Sequence, residues 1–215
     1  MRLRGTPALV LVVTLCAAVA AQSGTAVARA RSNADDLALA RRVVIRVADF
    51  PAGWSGKPDV AKDSGCFTRP LKANAPTAFV MSQRLTSEDE NEEFSAIVVV
   101  YRSAAIAQRA LTAATTAAPF ACYRNQLPAL LGRNGVKLAS YVGGRVPFAA
   151  VGDRVFANRY AIGLKKGAAT GTLYTDYVFL QRRRVVIATF FAAESARPSP
   201  AEEQAVLTKA VARVR

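Results

Sequence analysis

The sequence predicts an α+β domain: an antiparallel β-sheet of about six strands with helices packed on it, closed by one disulfide. Three observations predict it. Residues 94–101 alternate with apolar side chains on both faces. Residues 136–193 hold four hydrophobic segments, the last three joined by short turns bearing Gly, Lys and Arg. Once a leader is removed, two cysteines remain, Cys66 and Cys122.

The N-terminus reads as an export signal. Arg2 and Arg4 precede an apolar run from Ala8 to Ala21 broken only by Thr14. That length suits a signal core and is short for a membrane span, which needs about 20 residues. Small-x-small cleavage sites fall at Val19-Ala20-Ala21 and at Ala28-Arg29-Ala30. The second is favoured, giving a leader over 1–30 and a single domain over 31–215. An uncleaved anchor and a lipid-modified Cys16 are the alternatives. The large Leu15 before Cys16 argues against lipidation. A cleaved leader places the chain outside the cytoplasm, secreted or in the cell envelope, where Cys66 and Cys122 can oxidise in only one pairing.

Along the chain, Ser32 or Asn33 caps a first helix with Asp35 and Asp36 in its first turn. β-Branched residues from Val43 to Val47 weaken that helix, and Asp49-Phe50-Pro51-Ala52-Gly53-Trp54 turns the chain. Residues 55–78 read as a long loop tethered by Cys66. Phe79–Leu85 reads as one strand, residues 86–93 as an acidic turn, and Phe94–Tyr101 as a central strand covered on both sides. Ser103 caps a helix with an Ile106, Ala110, Leu111, Ala114 stripe, which Pro119 ends. A further helix carries Cys122, Leu127, Leu130 and Leu131. Strands follow at Val136–Val142, Val155–Leu164, Thr172–Gln181 and Val185–Ala193. Pro198 and Pro200 open a closing helix with Ala205, Val206, Lys209, Ala210 and Val211 at helical period.

Charge and chemistry narrow the function. The net charge is +14, and a chain starting at Arg31 keeps 26 bases against 15 acids, +11. Acids cluster at Glu88, Asp89, Glu90, Glu92 and Glu93, whereas Phe94–Ala193 holds only Asp153 and Asp176 against thirteen bases. Such a basic half suits an anionic lipid or an acidic glycan of the envelope, or is plain solubility; export argues against nucleic acid. The sequence has no histidine. That removes Ser-His-Asp and Cys-His catalysis and the common zinc sites. No Walker loop or GxGxxG occurs, no cofactor is implied, and the expectation is a protein that is not an enzyme.

The candidate binding residues are Trp54, Arg159, Tyr160, Tyr174, Asp176 and Tyr177. Asp176 interrupts an apolar strand and can pair with Arg159 if the register allows, either fixing the sheet or marking the mouth of a cleft. Tyr160, Tyr174 and Tyr177 share a hairpin and are either packing residues or, with Arg159, a sugar or phosphate site. Trp54 either plugs the core's edge or lines a ligand groove.

Several of these segments together resemble a known family. They are Asp49-Phe50-Pro51-Ala52-Gly53-Trp54 followed by Cys66, Val99-Val100-Tyr101-Arg102-Ser103, and Phe120-Ala121-Cys122. Gly152-Asp153, Asp176-Tyr177-Val178 and Arg184-Val185-Val186 complete the set. From about Leu37 onward the chain resembles the actinobacterial exported sensor-domain proteins, the PknH-like extracellular domains. The resemblance implies a sheet-and-helix domain with a cleft for an unidentified envelope ligand. It departs from the kinase pattern in lacking a kinase domain and in having a single disulfide, so signalling through a fused catalytic domain is not implied. A protein–protein adaptor outside the cytoplasm is the alternative role.

Overall fold

The computed structural model describes residues 33–60, 65–89, 91–194 and 196–215, without the side chains of 58–60. The expected leader over 1–30, its cleavage sites and Cys16 lie outside the described residues. Among the described residues no helix is long and apolar enough to cross a membrane.

The central strand is where expectation and structure agree most closely. β4 (Glu92–Val100) turns Phe94, Ala96, Val98 and Val100 to one side and Ile97 and Val99 to the other. Apolar residues on both sides require two covering layers, and the sheet has them. One layer holds α1 (residues 33–43), a 3₁₀ turn (Val47–Asp49) and α5 (Pro200–Ala212). The other holds α2 (Thr68–Lys72), α3 (Ala104–Ala114) and α4 (Ala117–Gly132).

Eight antiparallel strands form the sheet, two more than expected. Its path runs β1 (Trp54–Val60), β3 (Gln83–Ser87), β4, β8 (Val185–Ala193), β7 (Ala169–Arg182), β6 (Arg154–Lys166), β5 (Lys137–Val146). β2 (Ala78–Met81) also pairs with β4, beside Ile97–Val100. The single strand expected at Phe79–Leu85 is therefore two. Its break is Ser82, whose backbone N–H donates to the Ala96 carbonyl while its Oγ accepts from the Ala96 N–H, both at 2.8 Å. One residue thus uses up both backbone groups of Ala96, a bulge that divides the strand. The loop expected over 55–78 contains β1 and α2 instead. Gly56 and Pro58 disguise β1, and both are tolerated because it is an edge strand.

Serine caps two of the helices, α3 and α5. Ser103 Oγ accepts the Ile106 N–H, and Ser199 Oγ accepts the Glu202 N–H with Pro200 opening the first turn. Ala107, Ala110, Leu111 and Ala114 bury one stripe of α3, their small size letting the helix lie close on the sheet. In α5 the buried stripe is Glu203, Val206, Leu207 and Ala210, spaced i, i+3, i+4, i+7. The stripe expected there was displaced, since Ala205 and Lys209 are exposed. An acid at the stripe's first position hid the phase. Pro119 does not end α3, which stops at Ala114; it sits in the first turn of α4, where its missing N–H costs nothing.

The expected disulfide joins Cys66, just before α2, to Cys122 in α4, with Cα atoms 5.7 Å apart and a sequence separation of 56. It staples the layer holding α2 and α4 over an aromatic cluster of Phe67, Phe120, Tyr123, Tyr177 and Phe179.

Candidate functional site

The turn before β1 sets the site. Asp49 accepts the Arg46 N–H and is clamped by the Arg213 guanidinium, both nitrogens at 2.9 Å. Phe50 is thereby turned into the core and Gly53, at φ +94°, takes a conformation that favours glycine. Trp54 then enters β1 opposite Ser87. Its ring lies 4.2 Å from Phe50, the first step of a ladder through Phe94 to Phe191. The indole thus packs on the core and also lines a groove.

That groove is acidic. Its outer part, about 450 Å³, lies between Ala52–Trp54 and the β3–β4 turn with Ser87, Glu88, Asp89 and Glu92. Its inner end runs from Trp54 and Glu92 past Phe191 and Pro198 to Glu202 and Glu203 on α5. Asp89 is tied down by Ser87 and Asn91, whose hydrogen bonds hold its carboxyl below the usual range. Glu92 is pushed the other way, by partial burial and by the nearby Glu202 and Asp89.

Behind the groove is the buried charge cluster. Arg159 and Asp176 face each other on β6 and β7, the register on which their pairing was conditional. Arg159 Nε donates to Asp176 Oδ1 and Oδ2 at 2.9 and 2.7 Å, and its Nη2 also donates to Oδ2. Asp176 is 2% exposed. The third member, Glu203, is 1% exposed, and neither of its oxygens has a hydrogen-bond partner of good geometry. Arg159 approaches Oε2 at 3.8 Å. Burial, then the Asp176 carboxylate beside it, raise the Glu203 carboxyl to about 9. At neutral pH it is held as the acid. Asp176 is engaged by Arg159.

The sheet separates the remaining candidates. Tyr174 shares the side of Asp176, with the Arg197 guanidinium 5.4 Å from its ring. Tyr160 and Tyr177 project to the other side, among Tyr123, Tyr141 and Phe120. There burial drives the Tyr177 hydroxyl well above its ordinary range. Trp54, Arg159, Asp176 and Tyr174 thus belong to one side of the sheet, and the Tyr160–Tyr177 pair to a separate aromatic core. The sequence reading missed Glu92, Glu202 and Glu203. Only Glu203 carried a signal, as a carboxyl in register with the apolar stripe of α5.

Among the described residues no group of three or more His, Cys, Asp or Glu is placed to hold a metal ion. No protein-family model matches the chain, and no curated protein matches it. Among solved structures, the chain is similar to the extracellular domain of PknH from Mycobacterium tuberculosis, with a TM-score of 0.52 at 11% identity over 83% of this chain and 95% of that one. An uncharacterized protein of Mycobacterium smegmatis, the Rv0999 ortholog, aligns over 83% of this chain and 97% of its own at 14% identity, with a TM-score of 0.38, too low to argue from. The PknH extracellular domain shares this chain's fold, and the antiparallel sheet-and-helix architecture expected from the resemblance is the one observed.

Proposed function

We propose that the chain is an exported, non-catalytic, sensor-like binding domain of the cell envelope that associates with anionic lipid or acidic glycan through its basic exterior. One observation carries this reading. α4, β5 and β6 contain no acidic residue, yet Arg124, Lys137, Arg145, Arg154, Lys165 and Lys166 on them are all exposed. Most acids among the described residues are instead paired with arginine or gathered at the Trp54 groove. Asp36 meets Arg184, Asp49 meets Arg213, Asp153 meets Arg182 and Asp176 meets Arg159. Bases without local acids attract an anionic surface over about a Debye length. Export is supported by the leader read in residues 1–30 and by the disulfide. A non-catalytic role is supported by the lack of histidine and by the engagement of Asp176 with Arg159.

The test is co-sedimentation of the chain beginning at Arg31 with vesicles. Binding to phosphatidylglycerol vesicles at low salt, released by high salt and absent from phosphatidylcholine, is the expected result. Equal binding to both vesicle types at both salts overturns the proposal. A second reading, an adaptor for a protein partner, is favoured by the outer strand β5, where Val142 is 67% exposed. That reading requires a stoichiometric partner whose cross-links fall on β5.

A further inference from the structure

The anion-binding exterior leaves the Trp54 groove unexplained, because its charge has the opposite sign. Glu88, Asp89, Glu92, Glu93, Glu202 and Glu203 line its two parts, and among the described residues no lysine or arginine lines either. On a domain of net positive charge, such a concentration of acids attracts a cation. Among the described residues none pairs Glu88, Asp89, Glu92 or Glu202 within salt-bridge distance. Three buried oxygens at the inner end point to what is missing. Glu203 lies in the core beside Arg159 and Asp176, yet neither of its carboxyl oxygens has a hydrogen bond of good geometry, and Glu202 Oε1 is buried in the same condition. Buried polar atoms in that state are rare and call for a partner. The positive end of α5 is not that partner, since Ser199 already takes the Glu202 N–H with its Oγ and the Glu203 N–H with its carbonyl.

The shape selects the cation. The inner space is about 10 Å³, room for one water-sized group. An ammonium group has that size and three donors, whereas a guanidinium or a quaternary ammonium is too large. Trp54, Phe191 and Pro198 line the way out, and the outer groove is far roomier. An aliphatic chain could lie along that apolar wall with the indole face beside the charge.

We infer that the Trp54 groove binds a primary alkylammonium group, with the ammonium seated among Glu92, Glu202 and Glu203 and its alkyl chain against Trp54. A free polyamine and a lysine side chain of a partner peptide share this chemistry. The inference rests on the reading of the chain as a binding domain, and not on its attachment to an anionic surface. The raised Glu203 carboxyl fits it, since an arriving cation favours the ionised form and offsets the desolvation of that carboxyl.

Trp54 is the single tryptophan of the chain, so its fluorescence reports the groove directly. The chain from Arg31 is titrated at constant ionic strength with spermidine, with an acetylated lysine amide and with tetramethylammonium. The expected result is a saturable change with the first two and none with the third. Glu202→Gln and Glu92→Gln should each weaken binding by about tenfold or more, the loss of one charge-assisted contact. Spermidine binding more tightly points to a free polyamine, and the lysine amide binding more tightly points to a protein side chain. No saturable change, or an equal response to tetramethylammonium that survives Glu202→Gln, overturns the inference. Vesicle binding by the same two variants separates the claims: it should persist unchanged. Its failure in the parent chain would overturn the envelope reading alone.

Discussion

The two sides of the sheet are built on different physics. The side under α1 and α5 mixes its apolar core with buried charge: Asp36–Arg184, Asp49–Arg213 and Arg159–Asp176 with Glu203 all lie there. The side under α2, α3 and α4 is closed by aromatic rings and the Cys66–Cys122 bridge. Buried ion pairs are poor sources of net stability because two charges must be desolvated, but they fix register and leave carboxylates where a ligand can use them. Ring packing and a covalent staple stabilise without specifying chemistry. The comparison assigns work to the charged side and support to the aromatic one.

The largest expected effect comes from separating the buried pair. Arg159→Leu should lower stability by about 3–5 kcal/mol in urea unfolding, because Asp176 is left uncompensated beside Glu203. Adding Asp176→Leu to it should recover most of that loss; if the double variant is as unstable as the single, the charges are not what the substitution disturbed. On the aromatic side, replacing both Cys66 and Cys122 with alanine should cost about 4 kcal/mol, the closure entropy for a sequence separation of 56. Near-neutral unfolding energies for that variant would mean the staple adds nothing to the packing beneath it.

Glu203 gives an effect with a defined sign. Its carboxyl is raised to about 9 in the folded chain and titrates near the ordinary value of 4.5 when unfolded. The folded state therefore holds the extra proton, and this stability is fully present below about pH 4.5 and lost as pH rises through 9. Glu203→Gln should flatten the thermal stability profile between those limits and raise Tm at pH 8. A variant whose profile parallels the parent would place the titration elsewhere. The smallest effect belongs to Tyr177→Phe. The Tyr177 hydroxyl is buried without a hydrogen bond of good geometry, so its loss should change stability by less than about 1 kcal/mol.

How far the sequence revealed this division depends on which interactions are local. β4 was legible because apolar alternation on both faces is a property of nine successive residues. The disulfide was legible because one pairing remained. The Arg159–Asp176 contact was legible because two adjacent strands in a hairpin leave few registers. β1 was not, since Gly56 and Pro58 signal a break and only the pairing with β3 makes a strand of them. The division at Ser82 was invisible because a serine in a strand looks ordinary until its hydroxyl meets the Ala96 backbone. The groove itself joins β1, the β3–β4 turn and α5, separated by more than 100 residues in sequence, and no periodicity links them.

Backbone amide NMR spectra recorded during the spermidine titration test the division of labour most directly. The account predicts that the Trp54 indole N–H and the amides of Glu92, Glu93 and Ser199 to Glu203 shift together, while those of Phe67, Phe120, Tyr160 and Tyr177 stay fixed. Shifts centred on the aromatic residues, or spread evenly over the surface, would contradict it.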